Sequence, residues 1–253
     1  MQRLEYDTSA TPTIIVEQVA GNLRLSGWDR PRLVAQTNAD ELYLNGKDDT
    51  FTLRSLDDLT LTVPTGAKVV LTTVSGDARI KALTGTVEAQ TVHGSLSVRQ
   101  AGSLTLGTVY GEFSAKQIDG AMTIETCHGE LAIRDVRGAV TINNIYGSAY
   151  LRSVFGSVQL VGSHGAVIRL TFQPDNTYSI STTGDLTCIA EPGSQASFTV
   201  QYHGDLAIDD PALMPADLSG KGEHTFELNG GGAEVRLSAN GSLAIITRIE
   251  ADG

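Results

Sequence analysis

Glycine recurs at positions 76, 85, 94, 102, 111, 120, 129, 138, 147, 156 and 165, and nine of those ten steps are nine residues long. The neighbours repeat as well. Two residues before the glycines stand Val74, Leu83, Val92, Val109, Ile118, Cys127, Val136, Ile145 and Val154. Apolar residues return two and four positions after them, as in Leu96 and Val98 or Leu131 and Ile133. Alternation with period two, rich in Val, Ile and Thr, reads as strand. A helix would carry a glycine penalty of about 1 kcal/mol every nine residues. Nine is odd, so a straight strand cannot keep one face inward through the repeat. The two polar residues closing each unit are expected to absorb the parity change in a bend.

A longer period lies over the first. Thr-Val-Ser-Gly-Asp (73–77), Thr-Val-His-Gly-Ser (91–95), Thr-Val-Tyr-Gly-Glu (108–112), Thr-Cys-His-Gly-Glu (126–130) and Asn-Ile-Tyr-Gly-Ser (144–148) recur about every 18 residues, with a different set between them. The pattern predicts an all-β fold: a single-stranded, right-handed parallel β-solenoid, each coil of about 18 residues made of two nine-residue sides. Stacked coils bury a continuous interior that no single coil can bury, and the usual crossover rule gives the hand. One continuous domain is expected, with modified coils capping residues 1–72, a regular core over 73–172, and modified coils over 173–253. Arg169 falls on an inward position, which predicts a register change near 165–175. Asp209 to Gly222 reads as an excursion loop, and Asn240-Gly241-Ser242 as a repeat turn.

Gly27-Trp28-Asp29-Arg30-Pro31, Leu-Thr-Val-Pro-Thr-Gly at 61–66, and the serial Ser-Gly-Asp-like units resemble the bacterial putative-adhesin β-solenoid family, a domain of unknown function. The resemblance spans nearly the whole chain. It implies an adhesin-like or scaffolding role, often at the cell envelope, and supplies no catalytic residue.

Residues one coil apart should stack into columns. One reads Ser75, His93, Tyr110, His128, Tyr146, His164, Thr183, His203. Its rings either stack on one another, at about 0.5–1.5 kcal/mol per pair, or present a strip to sugars or a flat partner. His93, Tyr110, His128, Tyr146 and His164 are therefore the candidate partner-binding column. A second column, Lys81, Arg99, Lys116, Arg134 and Arg152, is a candidate strip for a polyanion, or else a solvated corner neutralised by Asp77, Glu112, Glu130 and Asp135. Thr73, Thr91, Thr108, Thr126 and Asn144 form a third column, expected to be a hydrogen-bonding ladder. Cys127 and Cys188 both fall inward, too far apart along the solenoid for a disulfide, and are expected to be buried free thiols.

Net charge is −11, which disfavours phosphate-neutralising contacts with nucleic acid. No apolar run is long enough for a transmembrane helix, and no signal peptide is visible, so a cytoplasmic location is the default beside the envelope suggested by the resemblance. No nucleophile–base pair, carboxylate pair, phosphate loop or metal-ligand cluster emerges. The expectation is a non-enzymatic structural or interaction scaffold, without cofactor or metal, a monomer or weak homodimer whose partner is a protein or a glycan. The alternative is a carbohydrate-binding module using the aromatic and histidine column.

Overall fold

A computed structural model describes residues 2–213 and 223–247. The excursion expected up to Gly222 lies largely outside the described residues. The described chain is all-β, with 26 strands and no helix. It divides into two compact units, Met1–Gly129 and Glu130–Gly253, and each is a parallel β-solenoid of two facing sheets.

In the first unit, sheet I runs in spatial order Gln2–Asp7, Arg32–Thr37, Leu59–Pro64, Leu23–Trp28, Ala78–Lys81, Leu96–Ala101, Phe113–Ile118. Sheet II runs Met122–Cys127, Ser103–Val109, Thr86–Val92, Lys68–Val74, Thr13–Val19, Thr50–Ser55, Leu42–Lys47. Parallel partners are a coil apart: Ile80 faces Val98, and Val98 faces Ala115. Val74, Val92, Val109 and Cys127 form one interior file, each at most 1% exposed.

The parity change has a specific mechanism on sheet I. Ala82, Gln100 and Gln117 have φ of 58°, 67° and 61°, the left-handed region that a side chain enters at a cost of about 1–2 kcal/mol. One such residue between inward Val98 and Ala101 turns a two-residue alternation into a three-residue step. In the second unit Asp135 and Ser153 do the same, with φ of 58° and 54°.

The periodic glycines answer a different need. Gly111 does not have a positive φ; a Cβ there would lie 2.7 Å from both the Gly94 carbonyl carbon and the Ser95 amide nitrogen. Coils approach each other at this corner almost backbone to backbone, with the Ser95 hydroxyl also 2.7 Å from that position. The next residue ties the corner. The Ser95 amide donates to Asp77 Oδ1 at 2.8 Å, and the Glu112 amide donates to Ser95 Oγ at 3.2 Å. The Asp77 amide donates in turn to Asn22 Oδ1 at 2.8 Å. This is why Asp, Asn or Ser so often follows the repeat glycine.

The N-terminal coil is not outermost. Thr13–Val19 pairs in parallel with both Thr50–Ser55 and Lys68–Val74, and Leu23–Trp28 with both Leu59–Pro64 and Ala78–Lys81. Residues 13–28 therefore sit between two coils that follow them in the chain. Beyond 50–64 the sheets finish on antiparallel strands, Leu42–Lys47 on one and Arg32–Thr37 with Gln2–Asp7 on the other.

The second unit repeats the device. Ala233–Ala239 lies between Thr177–Thr182 and Ala196–Tyr202, and Leu243–Ile246 between Leu186–Ala190 and Leu206–Ile208. An antiparallel strand, Glu223–Leu228, ends sheet II. The expected inward placement of Arg169 is not observed. Arg169 faces Arg152 across the strands, flanked by buried Ile168 and Leu170, and its Nε meets Glu191 Oε1 at 2.9 Å. The register shifts earlier, between Val161 and Ser163, where Gly162 has a φ of 83°, and the corner that follows is one residue short at His164.

Candidate functional site

The aromatic column sits at the corner leading from sheet II into sheet I, immediately before the close-packed glycines. In the first unit His93, Tyr110 and His128 are stacked as expected. His93 and Tyr110 have ring centroids 5.2 Å apart and planes 8° apart; Tyr110 and His128 are 4.9 Å apart and 2°. The backbone sets this spacing, since the Tyr110 amide donates to Val92 and that of His128 to Val109, both at 2.9 Å. Tyr110 is 50% exposed. Its two faces are covered by the histidines, so its edge meets solvent. The histidines lie on opposite faces of the tyrosine, which prevents them from sharing one ion. No group of three His, Cys, Asp or Glu among the described residues could hold a metal.

In the second unit the column continues differently. Tyr146 is 56% exposed. His164 leaves the column: its amide donates to Gly147 at 3.1 Å, the bond made elsewhere by a repeat glycine, and Gly165 faces Ser148. One residue is missing from the corner between Ser163 and Ala166, so this coil has no counterpart of Tyr146. Thr183 follows, but His203 is not next to it. The Asn240 amide donates to Thr182 and that of His203 to Ala239, both at 3.2 Å, so the intercalated coil places Asn240 between them. A Cβ on Gly241 would stand 2.8 Å from the Gly184 carbonyl carbon, the close approach expected of a repeat turn.

The basic column forms in register within each unit. Lys81, Arg99 and Lys116 face one another in the first, and Arg134, Arg152 and Arg169 in the second. Among the described residues Lys81 and Arg99 form no ion pair; the Asp77 carboxylate, expected to help neutralise them, accepts the Ser95 amide instead. Sequence reasoning missed a second basic row on the same face, Arg24 opposite Arg79. The signal was present: both follow a repeat glycine by three positions, where later coils carry Ser97 and Ser114. The threonine column is in register through Thr73, Thr91, Thr108 and Thr126. Cys127 and Cys188 are buried free thiols, and burial raises the pKa of both.

No family model matches the chain, and no curated protein matches its sequence. Two solved structures are similar to it. A putative cell adhesion protein from Clostridium sporogenes ATCC 15579 is 13% identical with a TM-score of 0.25, over 98% of this chain and 99% of its own. A putative lipid binding protein from Parabacteroides distasonis ATCC 8503 is 12% identical with a TM-score of 0.35, over 96% of each. No helix among the described residues is long and apolar enough to cross a membrane.

Proposed function

We propose that this chain is a non-enzymatic interaction scaffold, a monomer that presents flat strand faces to a partner. The carrying observation is that the ring column spends itself on internal stacking. Sugar recognition by aromatic side chains uses ring faces, and both faces of Tyr110 are already occupied. The column then acts as a ladder that rigidifies the corner, while the repeated rows on the sheets are what a partner meets. A rigid repeat surface presents its groups in fixed register, so little entropy is lost when an extended partner settles on it.

The competing reading is a carbohydrate-binding module built on Tyr110 and Tyr146. A glycan array probed with the parent and a Tyr110→Ala/Tyr146→Ala variant separates the two. The scaffold reading expects identical profiles, together with a stability loss of about 1–3 kcal/mol from the two contacts made by Tyr110. Loss of a glycan signal in the variant would replace it with the carbohydrate module. Sedimentation at several concentrations checks the monomer.

A further inference from the structure

Five of the seven strands of sheet I in the first unit together carry outward cations and hydroxyls and no carboxylate. They are adjacent: Leu59–Pro64, Leu23–Trp28, Ala78–Lys81, Leu96–Ala101 and Phe113–Ile118. None contains Asp or Glu. Arg24 lies between buried Leu23 and Leu25 and Arg79 between buried Ala78 and Ile80, while Lys81 follows Ile80 and Arg99 follows buried Val98; all four cations are exposed. Lys116 continues the row. The remaining outward positions on these strands include Ser26, Thr60, Thr62, Ser97 and Ser114, and Ser114 Oγ lies 3.1 Å from Ser97 Oγ. Elsewhere in the same unit cations meet acids: Arg54 with Glu17, Lys68 with Glu88, Arg32 with Glu5 and Asp7. Among the described residues Arg24, Arg79, Lys81 and Arg99 form no ion pair. A protein with 29 acidic residues against 18 basic ones thus keeps these five strands clear of its own acids.

That arrangement is costly for the isolated chain. Arg24 stands opposite Arg79, and Lys81 opposite Arg99, on strands about 4.8 Å apart, so like charges repel. An extended polyanion lying across the strands relieves the repulsion and meets one or two cations per coil. The face also shows what kind of polyanion. Its one aromatic ring, half-buried Trp28 at a strand end, has the Arg30 guanidinium 5.3 Å over it and is no open row on which bases could stack, and none of the exposed large hydrophobic side chains lies on these strands to enter a bilayer. Its other polar groups are hydroxyls and the exposed amides of Gln100 and Gln117, all of which hydrogen-bond to sugar hydroxyls.

We propose that this face binds an acidic polysaccharide, its carboxylate or sulfate groups seated on Arg24, Arg79, Lys81, Arg99 and Lys116. This deepens the scaffold reading by naming the partner class. Binding of labelled polygalacturonate and dextran sulfate to the full chain at low salt tests it, with neutral dextran, oligothymidylate and phosphatidylglycerol vesicles as comparisons. The expected result is salt-sensitive binding to the two acidic polymers only, weakened about tenfold by Arg79→Ser/Arg99→Ser and unchanged by Lys68→Ser on sheet II. The double variant should also unfold at higher urea than the parent, because repulsion is removed. No binding of either acidic polymer, equal binding by the double variant, or tighter binding to vesicles or oligothymidylate would each overturn the proposal. Those outcomes leave the glycan-array comparison of the tyrosine variant untouched, so the partner can fail without the scaffold failing.

Discussion

At Gly111 there is no room for a methyl group. Its Cβ would stand 2.7 Å from backbone atoms of the coil below, and backbone cannot swing aside as a flexible side chain can. Gly111→Ala should destabilise by about 2 kcal/mol or more, read as a lower urea midpoint. The opposite sign is expected at Gln117, whose φ of 61° strains any L side chain. Gln117→Gly should raise stability by up to about 1 kcal/mol in the same measurement. The thiols make a prediction about pH. Burial keeps Cys127 and Cys188 protonated in the fold, whereas in the unfolded chain a thiol ionises near about 8.5. Above that pH the folded state holds more protons than the unfolded one, so stability falls as pH rises. Urea midpoints between about pH 7 and 10 should decline, and less steeply for Cys188→Ala.

Elements are held in register by the corner ladder as much as by the strands. Asp77 accepts the Ser95 amide at 2.8 Å while its own amide donates to Asn22. Asp77→Ala should cost about 1 kcal/mol, and Asp77→Asn much less, since the acceptor oxygen remains. The glycine spacing made the coil and its inward files legible, because close backbone approach and alternation both leave periodic marks. Stacking of His93, Tyr110 and His128 followed from the same period. The displacement of His164 did not, because Gly162 and Gly165 flank it and either could continue the count. Only the backbone pairing shows that the corner lost a residue. Arg24 and Arg79 went unread because their column changes residue type after two coils.

At the scale of the whole molecule, chain order and spatial order part company at both ends. Val19-Ala20-Gly21-Asn22-Leu23 carries the coil signature, but a local motif does not say which coils it will lie between. The second unit offers a test. A chain ending at residue 213 lacks Ala233–Ala239 and Leu243–Ile246, which bridge the coils on either side. It should lose the cooperative melting of that unit. A chain starting at residue 8 lacks only the edge strand Gln2–Asp7 and should melt almost as the parent does.

The intercalated coils also govern when the protein can finish folding. Residues 13–28 are made before both of their neighbours, which lie within residues 50–81. Residues 233–246 are made after both of their partners and must wedge between strands already synthesised. Repeat proteins can ordinarily zip coil by coil from a nucleus. Here both intercalated coils wait on distant segments, so strictly vectorial folding is confined to the regular coils, and the two slots close only once residue 81 and residue 246, respectively, have been translated.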